Sequence, residues 1–366
     1  MPTIERIPKT SGDSSYRIQA DLVDAGQRTR VWFESNGFPL DDTIDPFVAL
    51  ALLPAMARNR DIAAAEPVSL ALRSNVFRLH DQLRWRIPGI QAVAIDAPAR
   101  TETAPKARGM GVVVDGGIDS LATLVAAGER ATHAILVHGL ETRLGDSDER
   151  RRASDWLERL SNAFGLVPIE ISTNLRDWTD PRMPWERFHP LGPTAAVAAA
   201  LSPVVGDVRL PGQSPTPERP GAPSGASLMG TERVAVTPDD AGTDRVGRYE
   251  RVASVPGALR WLRPCRKHRF GSAPCGECPD CFETLIALQT LGMAEQCPDF
   301  KVRIPARRIA ALRHETEADL RTAQRFLNLC ERHGKDPELA KALRRSLGEA
   351  EPKGRRWWSL QRLVSR

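Results

Sequence analysis

The chain has 366 residues, which is enough for two or three compact units around one main core. Hydrophobic residues make up 41% and charged residues 27%, the composition of an ordinary soluble globular protein. No apolar run reaches membrane-spanning length, and the first residues lack the apolar core of a signal peptide, so we expect a cytoplasmic protein with no membrane contact. The net charge of +5 comes from 51 basic and 46 acidic residues interspersed along the chain, which is weak evidence for nucleic-acid binding.

Residues 1–105 are predicted to form a small α+β domain. The segments 16–23 and 29–34 alternate apolar and polar side chains, as paired strands do, and an Asp-Ala-Gly turn stands between them. An apolar segment at 47–56, which its proline would kink or shorten, and helical spacing over 69–85 complete the pattern. The stretch 97–106, rich in Ala, Thr and Pro, is predicted to be a linker.

A strand that runs through two glycines into a helix is predicted at Gly111 to Leu124, GVVVDGGIDSLATL. The backbone N–H groups of such a turn and the positive end of the helix point at one spot, which suits a phosphate. Asp119 and Ser120 stand at the helix start, where a carboxylate can bind magnesium and a hydroxyl can bond a phosphate oxygen. No Gly-Lys-Ser/Thr follows, so the loop is not of the Walker type.

Strands and helices alternate from residue 108 to about 215, which predicts a parallel sheet built from βαβ units. The expected elements are strands at 131–137 and 167–172 with a charged amphipathic helix at 147–164 between them. Ligands of such sheets bind beyond the carboxyl ends of the strands. The informative residues are therefore the three groups Asp115 to Ser120, His138 to Glu141, and Thr173 to Arg176.

Two further segments before the cysteines have open interpretations. Trp185 and His189 precede an Ala-rich helix at 194–201, and they either pack at the entrance of that helix or line a nucleotide or substrate pocket. The stretch 211–227 is rich in Pro, Gly and Ser and is predicted to be a mobile loop or lid.

Four of the six cysteines crowd into a short stretch with no sign of export, which favours metal binding over disulfides. Cys265, Cys275, Cys278 and Cys281 have the spacing of a closed, tetrahedral, structural zinc site. Replacement of Cys265 by His268 as the fourth ligand and an iron–sulfur cluster are the alternatives. Cys297 and Cys330 lack this spacing and are predicted to be buried free thiols.

The residues after 299 predict a C-terminal helical appendix, with helices at 306–331 and 338–347, packed on the core or on a second subunit. A homodimer is therefore one expected assembly. The basic, tryptophan-containing tail 353–366 suits docking on a partner or an anionic surface, or is a frayed terminus.

The Gly-Gly loop resembles the SGGxDS loop of the pyrophosphatase-loop family, whose members bind ATP and release pyrophosphate while adenylating a substrate; Asp115 stands where that family has serine. Together with the motif CGECPDC at 275–281 and the following helix at 282–291, it resembles the 7-cyano-7-deazaguanine synthase (QueC) family over about residues 108–295. The resemblance implies an α/β fold of the adenine nucleotide alpha hydrolase-like, Rossmann-like type. It would occupy a domain at 106–298, between the small α+β domain and the helical segment 299–366.

That family converts a deazaguanine carboxylate to a nitrile with ammonia and ATP, and relatives in anti-phage defence are thought to join a deazaguanine to a protein. By resemblance, the cofactors are ATP, magnesium and structural zinc, and the expected partners are a deazaguanine-like carboxylate and a protein partner or protein acceptor. The expected catalytic residues are Asp119, Ser120 and Arg176, with Asn174 beside Arg176. The expected nucleotide-binding residues are Asp115, Gly116, Gly117, Ile118, Asp119, Ser120 and His138.

Asp115 leaves three functional hypotheses open. A carboxylate about 4 Å from a phosphate charge costs about 4 kcal/mol at an effective dielectric of 20, unless magnesium bridges the two. The first hypothesis is an adenylating C–N ligase, and the second is a scaffold without catalysis that binds a partner protein. The third, a tRNA-thiolating enzyme, requires a basic face and a reactive cysteine, and ranks lower because the cysteines are committed to metal.

Overall fold

A computed structural model describes residues 1–366 except 9–15, 85–86, 102–103, 184–190, 212–224, 240–242, 266, 268, 272–273, 277, 298–299, 301–303, 315–316, 334–335 and 351–366. Trp185, His189, His268, most of the 211–227 loop and the 353–366 tail therefore lie outside the described residues. The chain divides into two compact units, Met1–Gly242 and Thr243–Arg366. This division differs from the three segments expected from the sequence, since it falls between the Gly-Gly loop and the cysteines.

The first unit contains twelve strands and seven helices among the described residues. The strands are β1 (Thr3–Arg6), β2 (Arg17–Asp24), β3 (Gln27–Ser35), β4 (Ile62–Ala64), β5 (Val68–Ser69), β6 (Ile95–Asp96), β7 (Ala99–Arg100), β8 (Gly109–Val113), β9 (His133–His138), β10 (Val167–Thr173), β11 (Val205–Leu210) and β12 (Ala235–Pro238). The helices are α1 (Asp45–Ala57), α2 (Leu70–Ser74), α3 (Val76–Leu83), α4 (Ile118–Ala127), α5 (Ser147–Phe164), α6 (Leu175–Thr179) and α7 (Leu191–Ala200).

Ten of these strands form one sheet, in the order β12-β11-β8-β9-β10-β3-β2-β1-β4-β6, while β5 and β7 pair separately. The five strands from β12 to β10 are all parallel. If the five strands are renumbered 1 to 5 in chain order from β8, their order in the sheet from β10 to β12 is 3-2-1-4-5. This is the strand order of a doubly wound sheet. The predicted α/β class with a parallel sheet is confirmed, and the architecture is compatible with a Rossmann-like fold.

The N-terminal strands extend this sheet. Strand β3 pairs antiparallel with β10, and β2 pairs antiparallel with β3 through the predicted turn. The α+β segment and the parallel strands therefore share one sheet. The alternation of polar and apolar side chains along a strand shows which face of that strand is buried. It does not show which other strand will be its neighbour in the sheet.

The core of the first unit lies between the sheet and the helices α1 and α7, which pack against each other. Every residue of α7 from Gly192 to Ala200 is buried, and its small side chains permit close packing. Helix α1 continues through Pro54. The core includes the inward side chains of β9 and β10, namely Ile135, Val137, Ile169 and Ile171. Since side chains alternate across a strand, His138 and Glu170 point to the opposite face, where α5 packs.

The second unit is helical in its described part. Its helices are α8 (Arg245–Ala253), α9 (Pro279–Leu291), α10 (Ala306–Ala310), α11 (Glu317–His333) and α12 (Pro337–Ala350). The Tyr249 hydroxyl lies 2.9 Å from the Thr284 hydroxyl and joins α8 to α9. Helix α12 packs on α10 and α11.

Two predicted helices are broken in the structure. The span 69–85 forms α2 and α3, which meet at Asn75, and 306–331 forms α10 and α11. The Ser74-Asn75 pair explains the first break, because side chains of these types compete with the backbone for hydrogen bonds and favour helix ends.

Gly139 is the tightest backbone position beyond the carboxyl end of β9. Its φ is +98°, and a Cβ atom there would lie 1.8 Å from the Thr173 carbonyl oxygen. We expect Gly139→Ala to lower the free energy of unfolding by at least about 3 kcal/mol, because the backbone must move as well as adopt a strained φ.

Gly165→Ala is the matched control, since Gly165 has a φ of +67° but no atom within 4 Å of the added Cβ. It should cost about 1–2 kcal/mol, the strain of the left-handed conformation alone. Urea unfolding of both variants gives the comparison, and equal losses would contradict the close approach at Gly139.

Candidate functional site

The Gly-Gly loop lies at a switch point of the sheet. Strand β8 ends at Val113, and α4 begins at Ile118. On one side β8 pairs with β9, the next strand in the chain, and on the other side it pairs with β11. Connections leave in opposite directions at such a point and open a crevice at the carboxyl ends of the strands. The loop therefore occupies the position at which doubly wound sheets bind ligands.

The carboxylate of Asp115 occupies the hydrogen-bond donors of this loop. Its Oδ1 accepts the Gly117 N–H at 2.9 Å and the Ser120 hydroxyl at 2.6 Å. The Asp115 N–H in turn donates to the Ser120 Oγ at 3.3 Å, and Ser120 is fully buried. Gly116 has a φ of +80°, the left-handed conformation that suits glycine. The chain's own anion thus uses two donors that a phosphate would need.

The first turn of α4 carries the other predicted loop residues. Asp119 is in this turn, and its backbone carbonyl accepts the Thr123 hydroxyl at 2.9 Å. That hydroxyl also lies 3.3 Å from the Asp239 carboxylate, which follows β12. The Ile118 side chain is buried in the protein interior, so only its backbone could face a nucleotide.

His138, the last residue of β9, belongs to a buried polar cluster under α5. Its Nε2 lies 2.8 Å from the Glu170 carboxylate, which also accepts the Ser154 hydroxyl at 2.6 Å. The His138 Nδ1 has no hydrogen-bond partner in the described part of the chain. These contacts give His138 a role between the sheet and α5, and a contact with nucleotide remains a prediction.

Burial would raise the pKa of Glu170, but the hydrogen bonds from His138 and Ser154 and the nearby charge of Arg150 outweigh it and lower that pKa. Glu170 is therefore ionised at neutral pH and fixes the proton of His138 on Nε2. Sequence reasoning did not identify Glu170 or Ser154. The available signal was one acidic residue between the apolar positions of β10, VPIEIST.

Arg176 and Asn174 both lie at the carboxyl end of β10, and both are engaged in protein contacts. The Arg176 guanidinium pairs with Asp180 at 2.9 Å and donates to the Leu140 carbonyl at 2.8 Å. The Asn174 side chain accepts the Trp32 N–H and donates to the Arg30 carbonyl and to Asp177. Asn174 thus joins β10 to β3, and a role for Arg176 with substrate remains a prediction.

The four cysteines of the predicted metal site come together in the second unit. The Sγ atoms of Cys265, Cys275, Cys278 and Cys281 all lie within 4.8 Å of one another, and those of Cys275 and Cys281 are 3.9 Å apart. Zinc–sulfur bonds of about 2.3 Å place the sulfurs of a tetrahedral site about 3.8 Å apart. The cluster can hold a metal ion such as zinc, with Cys265 as the fourth sulfur.

The local backbone brings these thiols together. Gly276 has a φ of +66°, so the chain turns sharply after Cys275, and the Cys278 N–H lies 3.3 Å from the Cys275 Sγ. Cys278 is then the N-cap of α9, with Pro279 in its first turn. The Cys275 N–H lies 3.5 Å from the Cys265 Sγ. Backbone donors and a helix N-terminus favour thiolates at this position.

Burial raises the pKa of the Cys281 thiol, and the neighbouring Cys278 and Cys265 raise it further. The Cys281 thiol would therefore remain protonated without a cation, and a bound metal would compensate for its deprotonation. Cys297 and Cys330 are buried free thiols outside the cluster, as predicted.

We expect one metal ion per chain, bound at the cysteine cluster. Cys275→Ser should lower the metal content by at least about tenfold, because a serine hydroxyl is a poor ligand for soft metals. Elemental analysis after dialysis measures the content, and Cys297→Ser is the matched control because Cys297 is buried outside the cluster. Equal metal content in both variants would contradict the assignment.

The hydrogen-bonded cluster of Glu170, His138 and Ser154 should make the stability of the fold depend on pH. The folded pKa of Glu170 lies below its ordinary value of 4.5, so its ionised form stabilises the fold above that pH, and the contribution is lost as pH falls through the folded pKa. The difference in free energy of unfolding between wild type and Glu170→Gln should therefore be largest near pH 7 and shrink below about pH 4.

Glu158→Gln, on the exposed face of α5, is the control and should show little difference at either pH. Urea unfolding at a series of pH values gives the profile. A difference that grows on acidification would contradict the assigned direction of the shift.

Comparison of the chain with protein-family models, with curated proteins and with solved structures finds no match in any of the three. Within the described residues, no helix combines the length and apolar character needed to cross a bilayer.

Proposed function

We propose that this protein is a magnesium- and ATP-dependent enzyme that activates a carboxylate by adenylation and then forms a C–N bond. The observation that carries the proposal is the position of the Gly-Gly loop, which leads from a central parallel strand into α4 at the switch point of the sheet. Backbone donors and a helix N-terminus at that point suit the phosphates of a nucleotide. The resemblance of the two motifs to 7-cyano-7-deazaguanine synthases makes a deazaguanine-like acid the substrate class to test.

In the proposed reaction, the Gly116 and Gly117 N–H groups and the Ser120 hydroxyl bind phosphate oxygens of ATP. A carboxylate oxygen of the substrate attacks the α-phosphorus, and the bond to the β-phosphate oxygen breaks to release pyrophosphate. An amine, either ammonia or a protein N-terminus, then attacks the acyl carbon and AMP leaves. Magnesium bound at Asp119 would supply positive charge for the phosphates during the first step.

Asp115 must change partners in this reaction. Its carboxylate now bonds the Gly117 N–H and the Ser120 hydroxyl, and both are needed by the phosphates. If the carboxylate turns outward beside Asp119, a shared magnesium ion can bind it, which removes the repulsion between Asp115 and phosphate. Nucleotide binding should therefore depend on magnesium more strongly than it would with serine at this position.

We assign zinc to the cysteine cluster and give it a structural role. Four sulfur ligands leave no open position for water or substrate. The ion would fix the turn at Gly276 and the start of α9, because its sulfur ligands lie beside that turn and at the start of that helix. Structural zinc in small modules contributes about 10–16 kcal/mol of apparent binding free energy, which is ample to order this loop.

A scaffold without catalysis is the second candidate function, and one observation favours it. Asp115 accepts hydrogen bonds from the Gly117 N–H and the Ser120 hydroxyl, so these two donors are satisfied without a phosphate. Such a protein would retain the sheet and the zinc site and would bind a partner protein.

Pyrophosphate release separates the two candidates. The assay contains zinc-loaded protein, ATP, magnesium, carboxy-deazaguanine and ammonia. We expect release that depends on the acid and falls at least about a hundredfold in Asp119→Ala, because a charged ligand of the phosphate-binding magnesium is lost. Asp148→Ala is the matched control, since Asp148 is an exposed carboxylate in the first turn of α5.

Pyrophosphate release by Asp115→Ser but not by the wild type would show that Asp115 prevents the reaction at the loop. That result would support the scaffold hypothesis. No release by wild type, Asp115→Ser or Asp148→Ala, each shown to be folded and zinc-loaded, would overturn the adenylation proposal for this substrate class.

A further inference from the structure

Three arginines surround one carboxylate at the end of β2. Asp24, the last residue of that strand, is 6% exposed. Its oxygens lie 3.3 Å from Arg58, 3.5 Å from Arg60 and 3.4 Å from Arg182. These four residues are here named the Asp24 cluster. They come from the β2–β3 hairpin, the end of α1 and the turn after α6, so the cluster is built by distant parts of the first unit.

Arg182 is the structural partner of Asp24. Its side chain is only 4% exposed, and its guanidinium stacks 3.4 Å from the centroid of the Trp178 ring. It also donates to the Trp178 carbonyl at 2.9 Å. Burial lowers the pKa of Arg182, and the Asp24 charge opposes that change. One buried cation and one buried anion therefore neutralise each other.

Arg58 and Arg60 remain as a pair of uncompensated cations. Three guanidinium charges against one carboxylate charge leave a local charge of +2. Within the described residues, Asp24 is the one carboxylate that forms an ion pair with Arg58 or Arg60. The side chains of Arg58 and Arg60 are 42% and 41% exposed, so their remaining donors can reach a solute.

The two cations are also partly fixed in position. Arg58 donates to both Asp24 and the Pro181 carbonyl, at 3.3 Å each. Arg60 has a single ion pair with Asp24, and within the described residues its guanidinium makes no other polar contact. A guanidinium held by a buried carboxylate loses less side-chain entropy when it binds an oxyanion.

The Asp24 cluster lies at the same edge of the sheet as the Gly-Gly loop. Strand β2 runs parallel to β10 and β8, because two successive antiparallel pairings separate β2 from β10. The carboxyl end of β2 therefore faces the edge at which β8 ends. Four strand spacings of about 4.8 Å separate the two positions, so the cluster is distinct from the loop.

We propose that Arg58 and Arg60, which both form ion pairs with the buried carboxylate of Asp24, form a binding site for a phosphate dianion. Forked N–H donors on two guanidinium groups match the oxygens of a phosphate, and a charge of +2 matches its charge. Free phosphate and the phosphate of a monoester have this chemistry in common. The site does not depend on the proposed nucleotide chemistry.

Calorimetric titration with inorganic phosphate at pH 7.5 and constant ionic strength tests the proposal, and glycerol 3-phosphate in a parallel titration distinguishes a monoester site from a free-phosphate site. We expect saturable binding that weakens at least about tenfold in Arg60→Gln, because one of two guanidinium partners is lost. Arg78→Gln on α3 is the matched control and should leave the affinity unchanged.

Arg60→Lys keeps the positive charge and replaces Arg60→Gln in the test if that variant fails to fold. It should weaken phosphate binding measurably, but by less than Arg60→Gln, because lysine lacks the forked N–H donors of the guanidinium group. The absence of phosphate binding in wild type would overturn the proposal. Equal affinity in wild type and in a folded Arg60 variant would also overturn it, and the cluster would then only join the hairpin to α1 and α6.

Discussion

The pairing of β8 with β9 on one side and β11 on the other is the constraint on which the candidate site depends. It places the end of β8 at the centre of a parallel sheet, where the adjacent connections diverge. The strand is buried, so the turn after it has only the carboxyl edge of the sheet to occupy. Gly116 supplies the left-handed turn, and α4 begins with its N-terminus directed to the same edge. The sheet order thus creates a polar, donor-rich position before any ligand is considered.

Asp115 determines how those donors are used. A carboxylate bound to the Gly117 N–H and the Ser120 hydroxyl stabilises the loop by local hydrogen bonds near a helix N-terminus. The same contacts compete with any phosphate, and the balance depends on the cation available to the carboxylate. In the proposed adenylating enzyme, the loop has a closed arrangement without ligand and would open only where magnesium and nucleotide arrive together. Serine at this position would lack that dependence.

Several helices and strands and the cysteine cluster were predictable because their sequence signals are local. The periodicity of 147–164 gave the bounds of α5, and the cysteine spacing indicated the metal cluster. Strand β11 was not anticipated, since VGDVRL contains a glycine and two charged residues at positions that interrupt an apolar run. Gly206 is required by the close approach of the Ala107 carbonyl, 1.9 Å from where a Cβ would lie, which is a tertiary contact. The joining of β3 to β10 and the grouping of arginines around Asp24 are also tertiary, and no local pattern encodes them.

The two candidate centres differ in how they are stabilised. The Gly-Gly loop is supported by a buried parallel sheet, so its backbone geometry does not require a ligand. The cysteine cluster instead lies at the start of a helix, in a unit without strands among its described residues. The distances between its four sulfur atoms fit the coordination of one metal ion. Metal binding and local folding would therefore be coupled at the cluster. At the loop, a phosphate would instead compete with the Asp115 carboxylate for the same hydrogen-bond donors. Loss of the proposed zinc ion should lower the stability of the second unit, and in the proposed enzyme a change at Asp115 should alter nucleotide affinity at the loop while leaving the sheet intact.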